Sequence, residues 1–205
     1  RHALRAGHEY WGWRFAGWAL HYVQDLTQPY HARVLPGLGT GRMLWINALS
    51  LAGVTTPMAH AVTLVSNRHL ALENFQRNAL LAGHGDRPGA PGDAAPQRLL
   101  AALAGGPETD PPASFAWDQA RTVVARPAAA SADAVDRTIA DALPARLVRD
   151  PGYEFGVDGD ELDLFALLAS ENPAARDAMI DLLVLLMSEY GAHTRAFVRA
   201  LRSEP

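Results

Sequence analysis

Apolar and aromatic side chains recur at steps of three and four residues along almost every long stretch of the chain. Residues 8–26 show this spacing clearly, with apolar side chains at Trp11, Phe15, Trp18, Tyr22 and Leu26. Such positions share one face of an α-helix, and a stripe of this kind usually belongs to the core. Runs with the two-residue alternation of strands are few. The pattern therefore predicts an all-α fold, a multi-helix bundle.

Proline and glycine mark the predicted ends of these helices. Pro29 disfavours helical geometry at the residue before it, so the first helix should end near Leu26. A second helical region is predicted for residues 42–82, with Pro57 as its break or as a first-turn residue of its second half. The Gly- and Pro-rich residues 83–96 predict a flexible surface loop.

The C-terminal part, residues 97–205, has helical periodicity but no chemical motif. Shorter helices are predicted over residues 97–104, 112–124, 131–149 and 160–170, the third of them interrupted near Pro144. Asn172 followed by Pro173 predicts the N-cap and first position of a long final helix that reaches about residue 202. We expect one all-α domain over residues 1–205, in which residues 8–82 contain the candidate site.

Composition limits the classes of function. The chain has 205 residues, of which 49% are hydrophobic and 20% charged, as in a soluble globular protein. All 18 basic residues are arginine, and the net charge of −4 gives no basic footprint for duplex nucleic acid. Because cysteine is absent, disulfides and thiolate ligands are excluded. Any metal ion must be held by histidine and carboxylate groups.

The most apolar stretch, residues 44–65, is interrupted by polar residues too often for a membrane span. We interpret it as a buried helix pair broken at Thr56 and Pro57, and a lid or membrane-facing surface is the alternative. The chain begins at Arg1 without methionine or a signal-like leader. We therefore expect it to be a processed chain or a segment of a longer precursor.

Five side chains are candidates for a metal site. His21 and Asp25 are four residues apart, so a helix projects them from one face roughly 6 Å apart along its axis. His69 and Glu73 repeat that spacing, and His31 follows the first pair by six residues. One such pair alone is typical of a helix surface. Five of these groups on apolar helices favour a bound cation, since buried charges need partners, and zinc suits imidazole and carboxylate ligands.

The run "HYVQDLTQPYHA" resembles the signature of the zinc-dependent phospholipase C family, which shares its helical fold with fungal single-strand nucleases. In that family a His-x-x-x-Asp pair is followed by Leu-Thr-Gln-Pro and a histidine. A His-x-x-x-Glu pair follows later in the phospholipases, and His-x-x-x-Asp in the nucleases. The matching positions in this chain are His21, Asp25, His31, His69 and Glu73.

The resemblance implies up to three zinc ions per chain. Asp25 would bridge two of them and His21 would bind one of that pair. His31, His69 and Glu73 would hold the third, and a glutamate at position 73 favours the phospholipase side of the superfamily. The family's further ligands lie upstream of the first helix, and the stretch before His21 contains no match to them.

The expected function is zinc-dependent hydrolysis of a phosphate ester by a metal-activated water, most simply phospholipase C-like cleavage of a phospholipid headgroup phosphodiester. The resemblance further implies export and transient contact with a membrane surface. One alternative is a nuclease or 3'-nucleotidase of the same superfamily. The other is a non-catalytic helical module that keeps one structural zinc ion at His31, His69 and Glu73.

Overall fold

The computed structural model describes residues 1–85, 93–106, 109–111, 118–158 and 162–203. Within these ranges the regular structure is helical and contains no β-strand, which confirms the all-α prediction. The helices in chain order are α1 (His2–Arg5), α2 (Glu9–Asp25), α3 (Pro29–Ala32), α4 (Thr40–Leu51), α5 (Thr56–His84), α6 (Ala95–Ala104), α7 (Arg126–Ala142), α8 (Ala145–Val148), α9 (Leu164–Glu171) and α10 (Pro173–Arg202). A π-helical turn, Ala120–Ala125, leads into α7.

Local sequence signals set several helix boundaries as expected. Pro57 lies in the first turn of α5, and the Asn172 side chain caps α10 by accepting a hydrogen bond from the backbone nitrogen of Ala175 at 3.1 Å. α7 begins at Arg126, earlier than predicted, because Pro127 occupies its first turn and is compatible with helix geometry there.

Parts of three predictions lie outside the described residues. They concern residues 86–92 of the predicted loop, residues 112–117 of one predicted helix and residues 160–161 of another. On either side of the first gap, α5 extends to His84 and α6 begins at Ala95. Both helices therefore reach into the range that was predicted to be a loop.

The long helices α5 and α10 supply much of the core. Leu72 and Phe75 of α5 are fully buried, as are Ile180 and Leu183 of α10. The ring of Phe75 meets that of Phe165 on α9 edge to face, with centroids 5.6 Å apart. α5 and α10 each pack against α6, α7 and α9, and buried side chains of these helices form the core cluster. The resulting frame holds the candidate site residues of α5.

The aromatic stripe of α2 does not lie in the core, and that prediction was wrong. Trp11 and Trp18 are 51% and 52% exposed, whereas the buried residues of α2 are Gly12, Ala16 and Val23. α2 packs through this narrow side of small residues against α1 and α10. The stripe has helical spacing, but a different side of the helix is covered.

The prediction of a buried helix pair over residues 44–65 was wrong, because most of α4 and of residues 56–65 in α5 is exposed or only partly buried. Leu44, Trp45 and Leu51 are 67%, 64% and 92% exposed, and Ile46 is the residue of α4 that is buried. The main packing partner of α4 is α5, which leaves much of its surface uncovered. None of the described helices is both long enough and apolar enough to cross a bilayer.

Candidate metal centre

Three of the five predicted ligands converge at one point between α3 and α5. The Nε2 atoms of His31 and His69 are 3.0 Å apart, and His69 Nε2 lies 2.9 Å from Glu73 Oε1. One ligand atom from each of these three residues lies within 4.8 Å of both others. The two imidazole rings are nearly perpendicular, at 89°. This arrangement is a group that can bind a metal ion.

The turn between α2 and α3 brings His31 back toward α5. α2 ends at Asp25, and the backbone nitrogen of Thr27 donates to the carbonyl of Gln24 at 3.1 Å. The Thr27 hydroxyl donates to the same carbonyl at 2.7 Å, which closes the helix end. Pro29 then opens the single-turn helix α3, from which His31 projects. His69 and Glu73 share one face of α5 through their four-residue spacing.

Asp25 contacts His31 rather than joining the convergent group. Its Oδ1 lies 2.5 Å from His31 Nδ1. With Asp25 ionised, Nδ1 carries the proton and donates it, so the lone pair of His31 is on Nε2, the atom next to His69. A carboxylate that holds a histidine in this tautomer is the usual partner of a metal-binding imidazole. The bridging of two zinc ions by Asp25 stays a prediction.

Electrostatics keep Glu73 in the form that binds cations. The hydrogen bond from His69 lowers the pKa of Glu73; burial opposes this shift, and the charges of His69 and His31 add to it. Glu73 is therefore a carboxylate at neutral pH. Its side chain is 46% exposed and that of His31 is 29% exposed, so solvent and small ligands reach the group.

The convergent group opens into a cavity of about 220 Å³ whose wall includes His21, Asp25, Gln28, His31, Glu73 and Tyr190. His21 thus faces the same space as His31 and Glu73, although it is not part of the ligand group. Its ring lies 5.7 Å from that of Tyr22. Binding of a metal ion by His21 stays a prediction.

Sequence reasoning missed Tyr30, which lies behind the site. Its ring stacks on that of His69, with centroids 5.3 Å apart and an angle of 18° between the planes. Tyr30 is buried and directly precedes His31. Its place in the Thr-Gln-Pro-Tyr-His run was the one signal that could have drawn attention to it.

The donor set fits zinc. Two imidazole nitrogens and one carboxylate oxygen are the protein ligands of one class of catalytic zinc site, in which a fourth position stays open. Two nitrogens bound to one tetrahedral zinc ion lie about 3.3 Å apart, since each Zn–N bond is about 2.0–2.1 Å. The Nε2 atoms of His31 and His69 are 3.0 Å apart, close to that separation.

A second cavity adjoins the first. It has a volume of about 210 Å³ and shares Thr27 and Leu186 with the wall of the site cavity. Most of its other wall is apolar and comes from α7, α10 and the π-helical turn, including Val124, Val135 and Leu182. The candidate site therefore has a polar part beside an apolar one.

Comparisons of the chain with protein-family models, with curated proteins and with solved structures found no match. The resemblance to the zinc-dependent phospholipase C family thus rests on the residues quoted above, and the geometry of His31, His69 and Glu73 is independent of it.

Proposed function

We propose that the protein is a zinc-dependent hydrolase of phosphate esters whose metal is held by His31, His69 and Glu73. The observation that carries this proposal is the convergence of their ligand atoms within 4.8 Å of one another, with His31 and Glu73 in the wall of an accessible cavity. Zinc, when bound, supplies an activated water and positive charge that neutralises the phosphate.

The protein's own side chains have distinct roles in this proposal. Asp25 holds His31 in the tautomer that leaves Nε2 free to bind, and the stacked ring of Tyr30 fixes the plane of His69. Tyr190 lines the cavity, and burial raises the pKa of its hydroxyl, which therefore stays protonated and able to donate a hydrogen bond. His21 and Tyr190 are thus the groups placed to bind phosphate oxygens.

The surroundings of the site favour an amphiphilic substrate such as a phospholipid. The adjoining apolar cavity of about 210 Å³ is larger than a cavity of about 150 Å³ that holds benzene. It has room for part of an acyl or aryl group beside the phosphate. The exposed aromatic side of α2, with Trp11 and Trp18, suits transient contact with a lipid surface. Phospholipase C-like cleavage of a headgroup phosphodiester is the most specific form of the proposal.

One observation favours a second candidate, a single-strand nuclease or nucleotidase. The rings of Trp11 and Phe15 lie 5.8 Å apart at an angle of 26°, and both are about half exposed. Exposed aromatic rings of this kind stack with unpaired bases. The exported location remains a proposal that depends on the family resemblance.

Hydrolysis assays with zinc test the proposal directly. The wild-type protein, His69→Ala and His60→Ala are each incubated with phosphatidylcholine vesicles and, separately, with single-stranded DNA. His60 is a matched control because it is an exposed histidine on α5 outside the convergent group. Release of phosphocholine by wild type and His60→Ala, but not by His69→Ala, is the expected result.

The remaining outcomes separate the alternatives. Cleavage of DNA alone would replace the phospholipase proposal with the nuclease candidate. Stable binding of zinc without hydrolysis of either substrate would instead indicate a helical module with a structural zinc ion. Equal activity of wild type and His69→Ala would contradict the assignment of the site.

A further inference from the structure

A buried carboxylate on α7 contacts the chain directly before each of the two histidines. Asp136 is 2% exposed. Its Oδ1 accepts a hydrogen bond from the Tyr30 hydroxyl at 2.9 Å, and its Oδ2 accepts one from Arg68 Nη1 at 2.7 Å. Tyr30 is the residue before His31, and Arg68 is the residue before His69.

These contacts connect three helices behind the candidate metal site. Arg68 also donates from Nε to the carbonyl of Val148 at 2.8 Å, so its guanidinium is fixed at two points. The Tyr30 ring that donates to Asp136 is the same ring that stacks on His69. Asp136 thus links the short helix α3 to α5.

The segment after α3 is attached to the same face of α7. Asp133, one turn before Asp136, accepts from the backbone nitrogen of Gly37 at 2.9 Å and pairs with Arg33 at 2.9 Å. Gly37 has a positive φ of 80°, and a Cβ atom there would collide with the Asp136 carboxylate. The chain following His31 therefore passes directly over Asp136.

A carboxylate at this position is costly for stability alone. Burial raises the pKa of Asp136, which Arg68 and the Tyr30 hydroxyl oppose. Buried ion pairs of this kind are often no more stabilising than well-packed apolar side chains, whereas their directional bonds fix one arrangement of the surrounding chain. The arrangement fixed here is the one that sets the separation of the two histidines.

We propose that Asp136 is a positioning residue for the metal site: through Tyr30 and Arg68 it holds His31 Nε2 and His69 Nε2 at the separation that one metal ion requires. This inference rests on the proposed function, since it presupposes that the histidines bind a metal. It assigns a role in the site to a residue 105 positions beyond His31, on a helix that contributes no ligand.

Metal affinity and Co²⁺ absorption test the inference without an activity assay. Asp136→Asn retains the volume of the side chain and an oxygen for Tyr30, but presents an amide donor to Arg68, itself a donor. Tyr30→Phe removes one hydrogen bond and keeps the ring against His69. Asp93→Asn is the matched control, because Asp93 forms a similarly enclosed pair with Arg176 at 3.0 Å on another part of the fold.

Zinc affinity is measured by competition with a chromogenic chelator, and the metal geometry by the visible spectrum of the Co²⁺-loaded protein. We expect Asp136→Asn to weaken zinc binding by up to about tenfold, the lower end of the loss seen for groups bonded directly to a ligand, because Asp136 acts through Tyr30 and Arg68. It should also alter the Co²⁺ spectrum. Tyr30→Phe should change both in the same direction. Asp93→Asn should leave affinity and spectrum unchanged even if it lowers the melting temperature.

The results separate failure of this inference from failure of the proposed function. If wild type binds zinc and both Asp136→Asn and Tyr30→Phe bind it equally well with an unchanged Co²⁺ spectrum, the inference is overturned while the metal site stands. If Asp136→Asn does not fold, Tyr30→Phe decides by the same criterion. If wild type binds no zinc at the site, the proposed function fails, and the role of Asp136 fails with it.

Discussion

Asp25 and His31 are joined by a contact of 2.5 Å between Oδ1 and Nδ1, across the turn that separates α2 from α3. The pairing leaves His31 Nε2 beside His69 Nε2 and Glu73, in a group of three side chains that can bind one cation. Sequence spacing pairs Asp25 with His21, one helical turn away. The fold instead uses Asp25 to orient a histidine on the next helix.

Replacement of Asp25 by alanine should weaken zinc binding by about 10- to 100-fold while the number of zinc ions per chain stays the same. The reason is that His31 would lose the group that fixes its tautomer and ring orientation. Chelator competition gives the affinity, and elemental analysis at saturating zinc gives the number bound. Glu9→Ala, at the other end of α2, is the control. A fall in the number of zinc ions bound would show instead that Asp25 is itself a ligand, as the family resemblance implies.

The exposed side of α2 should contact lipid surfaces. Between Glu9 and Asp25 the one residue with a full charge is Arg14, which lies 5.2 Å from the ring centre of Trp18. Tryptophan next to a cation suits the interface of an anionic bilayer. We expect the double variant Trp11→Ser, Trp18→Ser to bind phosphatidylglycerol-containing vesicles more weakly than wild type in co-sedimentation.

Val157→Ser is the control for that experiment, because Val157 is a 71% exposed apolar residue between α8 and α9 that lines neither cavity of the site. It should bind vesicles as wild type does. Absence of vesicle binding by wild type, or equal binding by the double variant, would rule out α2 as the contact surface.

His193 should make the protein less stable in acid. Its side chain is 5% exposed, and burial lowers its pKa, an effect that the nearby Glu189 and Asp110 oppose. Because the folded state resists protonation, the unfolded chain takes up more protons as the pH falls below about 6.5, and the free energy of unfolding decreases. In urea denaturation, His193→Leu should lose less stability than wild type between about pH 7 and about pH 5. His60→Leu is the exposed control, and a wild-type slope in His193→Leu would contradict the expectation.

Truncation of two phenylalanines on different helices should change the free energy of unfolding by very different amounts. Phe75 of α5 is fully buried, whereas Phe15 of α2 is 49% exposed. Phe75→Ala should lower the free energy of unfolding by about 3–5 kcal/mol, because it leaves a cavity in the core. Phe15→Ala should change it by less than about 0.5 kcal/mol, as surface substitutions usually do. Similar losses in both variants, measured by chemical denaturation, would place the α2 stripe in a packed environment.

Helical periodicity and end signals were enough to predict the all-α fold and the principal helices. Pro57, Asn172 and Pro173 each affect the helix turn in which they lie. The helix starts that they mark can therefore be predicted from the neighbouring sequence. The covered side of α2 could not be predicted in this way. Periodicity shows that Trp11 and Trp18 share a face, but which face is covered depends on helices distant in the sequence.

One part of the candidate site could likewise be predicted from the sequence, and the rest depends on the fold. His69 and Glu73 are four residues apart on one helix, so their proximity follows from helix geometry. Their meeting with His31 depends on the turn at Pro29 and on the packing of α3 against α7. Asp136 has no local signal in the sequence, because its partners Tyr30 and Arg68 become its neighbours only in the folded chain.

Whether His31, His69 and Glu73 bind zinc is decided by the zinc content of the purified protein, determined by elemental analysis without added metal. Wild type, His69→Ala and the exposed-histidine control His60→Ala are compared. We expect at least one zinc ion per chain in wild type and in His60→Ala, and its loss in His69→Ala. Absence of zinc from wild type, or an equal zinc content in His69→Ala, would contradict this expectation.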